Sequence, residues 1–182
     1  MSGPNIPAPI SMQLSKEMTA ILVLDVNAEC EDPKTSGSRL LDTLGSFLAR
    51  ARDAHVPILY TISLTRKGTP MGNVAAPLGY REGESILYPD AFDKFSGGDL
   101  KNWLERRKIE NLVIVGRSTN VAVMYTATAA VRVHGYTVIL PIDGMNANSD
   151  YEHEYALHQL ANLPKKVTRP ITLTELGKLS FQ

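Results

Sequence analysis

The amino-acid sequence predicts a three-layer α/β/α domain built on a parallel sheet, and three observations predict it. Ala20 to Val26 is a nearly continuous apolar run, as a strand buried on both faces must be. Stretches with apolar residues at helical spacing separate this run from the later strands, so strands and helices alternate and parallel crossovers follow. The third observation is Val113-Ile114-Val115-Gly116-Arg117-Ser118-Thr119-Asn120, where a strand enters a glycine turn and a polar cap before a helix of small residues. In an α/β domain that junction sets helix N-terminal amides at the carboxyl edge of the sheet, where ligands gather.

At 182 residues the chain is long enough for one well-filled core. We expect an N-terminal arm over 1–18, loose and available to a neighbouring subunit, and one domain over 19–182. Nineteen basic and 19 acidic residues balance to a net charge of +0, leaving no electrostatic footprint for nucleic acid or an anionic membrane. No apolar run approaches the roughly 20 residues of a membrane span. The start has no basic-then-apolar leader pattern, and the single Cys30 has no internal disulfide partner. A cytoplasmic location is expected.

The first strand ends at Asp25, which puts a carboxylate at the sheet's carboxyl edge. Ser36 or Ser38 is expected to cap a helix whose apolar residues Leu40, Leu41, Leu44, Phe47, Leu48 and Ala51 recur at helical spacing up to His55. Pro57 to Ser63 reads as the second strand. Leu64 to Gly98, about 35 residues, is far longer than an ordinary connection and reads as a wall or lid over the site, with a short strand at Ser85 to Tyr88. Asp99 should cap a helix carrying Leu100, Trp103 and Leu104. A strand at Asn111 to Val115 and a helix from Asn120 to His134 follow, the helix closed by Gly135. Tyr136 to Ile142 is the next strand, Asp150 opens a helix, Lys166 to Thr168 is a short last strand, and Thr172 to Leu179 forms a terminal turn.

Most motif chemistry is excluded. No G-x-G-x-x-G follows the first strand and no G-x-x-x-x-G-K-[ST] occurs, so neither a dinucleotide nor a P-loop site is supported. Gly116 to Asn120 starts like a nucleophile elbow but ends in Asn, and Ser118 by itself reads as a turn residue. His55, His134, His153 and His158 lack metal-ligand spacing, so no metal and no cofactor are expected. Cys30 reads as a semi-buried filler, with its proximity to Asp25 leaving a nucleophile open. Arg117 is either a solvated turn residue or the partner of an anionic substrate group.

The ordered set Ile21-Leu22-Val23-Leu24-Asp25-Val26-Asn27, Gly83-Glu84-Ser85-Ile86, Phe92 to Leu100, Val113 to Gly116, Thr119-Asn120, Thr126-Ala127, Gly135-Tyr136, Asp143 and His153 to Leu157 resembles the isochorismatase-like hydrolase superfamily. That resemblance implies its Rossmann-like parallel sheet, a small-molecule ligand and a homo-oligomer, dimer or tetramer. In its cysteine hydrolases, an Asp ending the first strand, a Lys in the loop before the second helix and a Cys starting the third helix form a triad. A helix N-terminus lowers a thiol pKa and supplies donors to a developing oxyanion.

Asp25 matches the family's Asp. The nucleophile position holds Ala122, and the lysine position, counted back from Asp99-Leu100 without a gap, falls on Pro89. Lys94 is the alternative cation. Substrate contacts are expected from Asn27, Phe92, Arg117, Ser118, Thr119 and Val121.

Three accounts stay open, and the first of them leads. The chain has lost the cysteine mechanism and binds a small carboxylate- or amide-bearing ligand or a partner; or Ala122 replaces a natural Cys in a C–N hydrolase; or Asp25 protonates a vinyl ether, as the resemblance implies for isochorismatases proper. No Asp-x-His-x-x-His follows the second strand, which removes a nicotinamidase-like metal site.

Overall fold

A computed structural model describes residues 5–164 and 170–182. A parallel sheet flanked by helices forms the body. Its strands are β2 (Thr19–Leu24), β3 (Ile58–Thr61), β4 (Ser85–Leu87), β5 (Asn111–Arg117), β6 (Thr137–Pro141) and β8 (Ile171–Thr174), in the spatial order β4-β3-β2-β5-β6-β8. A two-residue β7 (Met145–Asn146) adds to the end of β5. Every pairing among them is parallel.

The pleat sorts the side chains. Ile21 and Val23 of β2 join Val113 and Val115 of β5 in one apolar cluster, with Leu44, Phe47, Leu48 and Ala51 of α1 (Leu41–Asp53). Ala20, Leu22 and Leu24 face the other way with Leu112 and Ile114. That second cluster also takes Leu100 and Leu104 of α2 (Asp99–Arg106), Ala127 and Ala130 of α3 (Met124–Arg132), and Leu157 and Leu160 of α4 (Asp150–Ala161). A strand that must satisfy both clusters has no polar face, which is why β2 reads as an unbroken apolar run.

The chain leaves β2 toward β3 and β4, then returns to the opposite side of β2 as β5. Strand order therefore reverses between β2 and β5, and a crevice opens outside their carboxyl ends. Gly116 makes the closest approach there. It pairs with Leu24, has φ of 118°, and a Cβ on it would run into the Leu24 carbonyl oxygen.

Several boundaries differ from expectation. Residues 12–14 form β1 (Met12–Leu14), paired in parallel with β9 (Leu179–Phe181), so this part of the N-terminal stretch is docked on its own chain. Ile10 and Pro9 carbonyls also accept from Thr174 and Lys178 side chains. The terminal turn expected over Thr172 to Leu179 contains the end of β8, a short helix and the start of β9 instead.

Neither Ser36 nor Ser38 caps α1; a turn of 3-10 helix, Ser36–Leu40, leads directly into it. Asp99 is the first residue of α2 rather than its cap, because Gly98, with φ of 85°, takes the cap position. Ser149 and Glu152 form a reciprocal capping box on α4. The strand expected at Lys166 to Thr168 lies outside the described residues. Among the described residues no helix is long and apolar enough to cross a membrane.

Candidate functional site

The crevice at the strand-order reversal is a cleft of about 340 Å³. Asp25 and Asn27 border it from the end of β2, Ile62, Ser63, Thr65 and Arg66 from the end of β3, and Arg117, Ser118, Val121 and Ala122 from the end of β5. Asp25 has φ of 54°, in the left-handed region that non-glycine residues seldom occupy, and its amide donates to the Thr61 carbonyl at 2.8 Å. Such strain at a strand end is a recurrent feature of functional sites.

Lys94 Nζ lies 2.7 Å from Asp25 Oδ2 and donates to the Ala91 carbonyl at 3.3 Å. The lysine is 3% exposed. Its position is fixed by its neighbours. The Lys94 amide donates to Thr126 Oγ1 at 3.1 Å, and that hydroxyl donates to the Phe92 carbonyl at 3.3 Å. Phe95 is buried against His134, ring centroids 4.2 Å apart, and Tyr136. The segment before α2 is thus pinned onto α3, with the ammonium directed back at the end of β2.

Burial holds the Asp25 carboxyl above its ordinary range; Lys94 and then Arg117 oppose this without cancelling it. Oδ1 is buried and has no hydrogen-bond partner among the described residues. A carboxyl in this state is suited to carrying a proton.

Of the residues named from sequence, Asp25, Asn27, Phe92, Arg117, Ser118, Val121 and Ala122 line this one cleft, and Lys94 contacts Asp25. Two are placed elsewhere. Pro89 follows β4, where its carbonyl accepts from the Leu64 amide, and the cation beside Asp25 is Lys94. Thr119 is outside the cleft lining, fully buried with Oγ1 2.8 Å from His153 Nδ1. Burial pushes the His153 pKa down, so the ring is held neutral.

Ala122 is 2% exposed and contributes a methyl to the floor. It sits in a widened turn, Thr119–Val123, that precedes α3 directly. Cys30 does not line the cleft. It is fully buried, its thiol pKa pushed up by burial, with Sγ 3.9 Å from the Asp25 carbonyl.

Ser63, Thr65, Arg66 and Glu29 were not singled out from sequence, although three of them directly follow β3 at the carboxyl edge. Arg66 pairs with Glu29 at 2.9 Å across the rim, and Asn27 Nδ2 donates to the Met71 carbonyl at 2.7 Å. These contacts make part of the long segment after β3 a wall. Among the described residues no group of three or more His, Cys, Asp or Glu is arranged to hold a metal ion.

The isochorismatase domain family matches residues 19–175. The chain is 36% identical over 80 residues to the isochorismatase family protein YwoC of Bacillus subtilis, a stretch that covers 44% of this chain and 42% of that protein. The match thus spans about two fifths of that relative's length. An isochorismatase-like hydrolase from Alkaliphilus metalliredigens superposes with a TM-score of 0.77 at 22% identity, covering 90% of this chain and 97% of that one. A nicotinamidase from Staphylococcus aureus superposes with a TM-score of 0.73 at 22% identity, covering 85% and 97%. A ribonuclease from Caenorhabditis elegans shares the fold as well, with a TM-score of 0.73 at 18% identity, covering 91% and 81%.

Proposed function

The chain belongs to the isochorismatase family, and on that premise we propose that it is a small-molecule hydrolase working without a cysteine, by proton transfer from Asp25 to a vinyl ether. The observation that carries this is the Lys94–Asp25 pair at 2.7 Å, its lysine buried and its carboxylate half-buried at the cleft. Replacing a buried ion pair with apolar groups is often neutral or stabilising, so a pair kept inside a cleft is better explained by chemistry than by stability. Taken as the family's lysine, Lys94 leaves only position 122 departing from the triad that the resemblance implies.

The steps balance with water as sole co-reactant. The Asp25 carboxyl delivers its proton to the terminal carbon of the C=C–O unit, and the ether oxygen supplies the electron pair that makes an oxocarbenium ion. Lys94 stabilises the carboxylate left behind. Water adds to the cation and returns a proton to Asp25. The resulting hemiacetal or hemiketal collapses to a carbonyl compound and an alcohol. No covalent attachment to the protein is needed, so a methyl at 122 does not obstruct the route.

Ala122 favours a second reading, in which the cleft binds a small molecule without turning it over. Assaying small vinyl ethers and amides with the protein and with Asp25→Asn separates the two. We expect vinyl-ether turnover that falls at least about 100-fold in Asp25→Asn, and inert amides. No turnover, with ligands raising the melting temperature, would leave only the binding reading. Amide turnover by the unaltered protein would defeat both.

A further inference from the structure

Arg117, at the end of β5, is the one guanidinium of the cleft with no carboxylate within ion-pair distance among the described residues; Arg66 is taken by Glu29. Its place is built by three segments. Gly37 lies against its stem: a Cβ there would meet Arg117 Cδ at 3.1 Å and collide with the Cys30 sulfur. The Cys30 Sγ accepts from Arg117 Nη1 at 3.9 Å, a long and weak contact. Asn146 is the β7 partner of Arg117 in the sheet, and its Nδ2 donates to the Ser36 carbonyl, tying the turn that carries Gly37 to the sheet edge.

A guanidinium has five N–H donors in a planar fork. Here a sulfur takes one of them weakly, the stem is held, and the residue is half-buried in the wall of the cleft. A solvated turn residue needs no such notch. We propose that Arg117 is the anion anchor of this cleft and that its ligands carry a carboxylate, the planar anion matching the fork in a two-point contact. Cys30 and Gly37 then act as positioning residues for the fork. The identity of the reaction rests on the Asp25 proposal; the anchor does not.

Benzoate and its near-isosteric uncharged amide, benzamide, test the anchor by calorimetric titration of the unaltered protein, Arg117→Gln and Arg117→Lys. We expect benzoate to bind at least about tenfold more tightly than benzamide, Arg117→Gln to remove that preference, and benzamide binding to stay within about twofold. Arg117→Lys, which keeps charge but loses the fork, should weaken benzoate about fivefold, and it decides the matter where Arg117→Gln does not fold. No preference in the unaltered protein, or benzoate binding indifferent to both substitutions, would overturn the anchor. Intact benzoate preference with no vinyl-ether turnover would leave the anchor standing and remove the proposed reaction.

Discussion

Lys94 Nζ reaches Asp25 Oδ2 at 2.7 Å because the next residue, Phe95, is buried against His134 and Tyr136. An aromatic anchor and an amide bonded to Thr126 leave the lysine little freedom, and the ion pair follows from the packing. The left-handed backbone at Asp25 supplies the other half of the geometry. A cation and a carboxylate from distant parts of the chain are thereby fixed at the one place where strand order reverses.

Removing the lysine tests what that pair contributes. Lys94→Met should leave the Asp25 carboxylate unpaired and lower stability at neutral pH by about 3 kcal/mol. The deficit should shrink on acidification, as the carboxyl takes up a proton. Urea unfolding at pH 7 and pH 5 measures both; a deficit independent of pH would mean that lost packing alone is responsible.

The raised pKa of Asp25 has a definite sign. Because the folded value lies above the ordinary 3.8, the protonated carboxyl favours the folded state; that contribution is complete below 3.8 and is lost as pH rises through the folded value. As a proton donor Asp25 should also give a rate that declines over the same rise. The rate profile of the unaltered protein and the stability difference from Asp25→Asn should both bend above 3.8. Flat curves there would show a carboxyl of ordinary acidity.

His153 works in the opposite direction. Its pKa is lowered by burial, so the neutral ring favours folding; this contribution is full above about 6.5 and falls as pH drops through the folded value. His134, also lowered, acts in the same window. His153→Gln should therefore remove part of the acid sensitivity below about pH 6.5, read as the shift in urea midpoint. Unchanged sensitivity would mean that His153 does not titrate with unfolding.

Much of this was legible in the residues. The apolar run of β2 and the glycine turn after Val115 located the crevice, since period and backbone chemistry are local properties. Lys94 was not placed with the same certainty. Its loop obeys no period, and counting without a gap led to Pro89. Phe95 was the available signal, an aromatic beside a lysine in an otherwise polar stretch. The contact of the Thr119 hydroxyl with His153, distant in sequence, had no local signal.

Gly116 tests the close approach of β5 to β2. Gly116→Ala combines a φ of 118° with a Cβ directed at the Leu24 carbonyl, and should destabilise by about 3 kcal/mol or prevent folding. A urea midpoint close to that of the unaltered protein would contradict the packing described between these strands.

Position 122 separates the available chemistries. Ala122→Cys places a thiol in the cleft, and it should react with iodoacetamide far faster than the fully buried Cys30 of the unaltered protein. Equal labelling of the two proteins would argue against an accessible site at 122.

The central claim is that Asp25 delivers a proton to carbon, and vinyl-ether turnover in deuterium oxide addresses it most directly. With the carbonyl product trapped as it forms, mass spectrometry should find one solvent deuterium on the former terminal carbon per turnover. Asp25→Asn should form product at least about 100-fold more slowly. Product without carbon-bound deuterium, or undiminished turnover by Asp25→Asn, would contradict it.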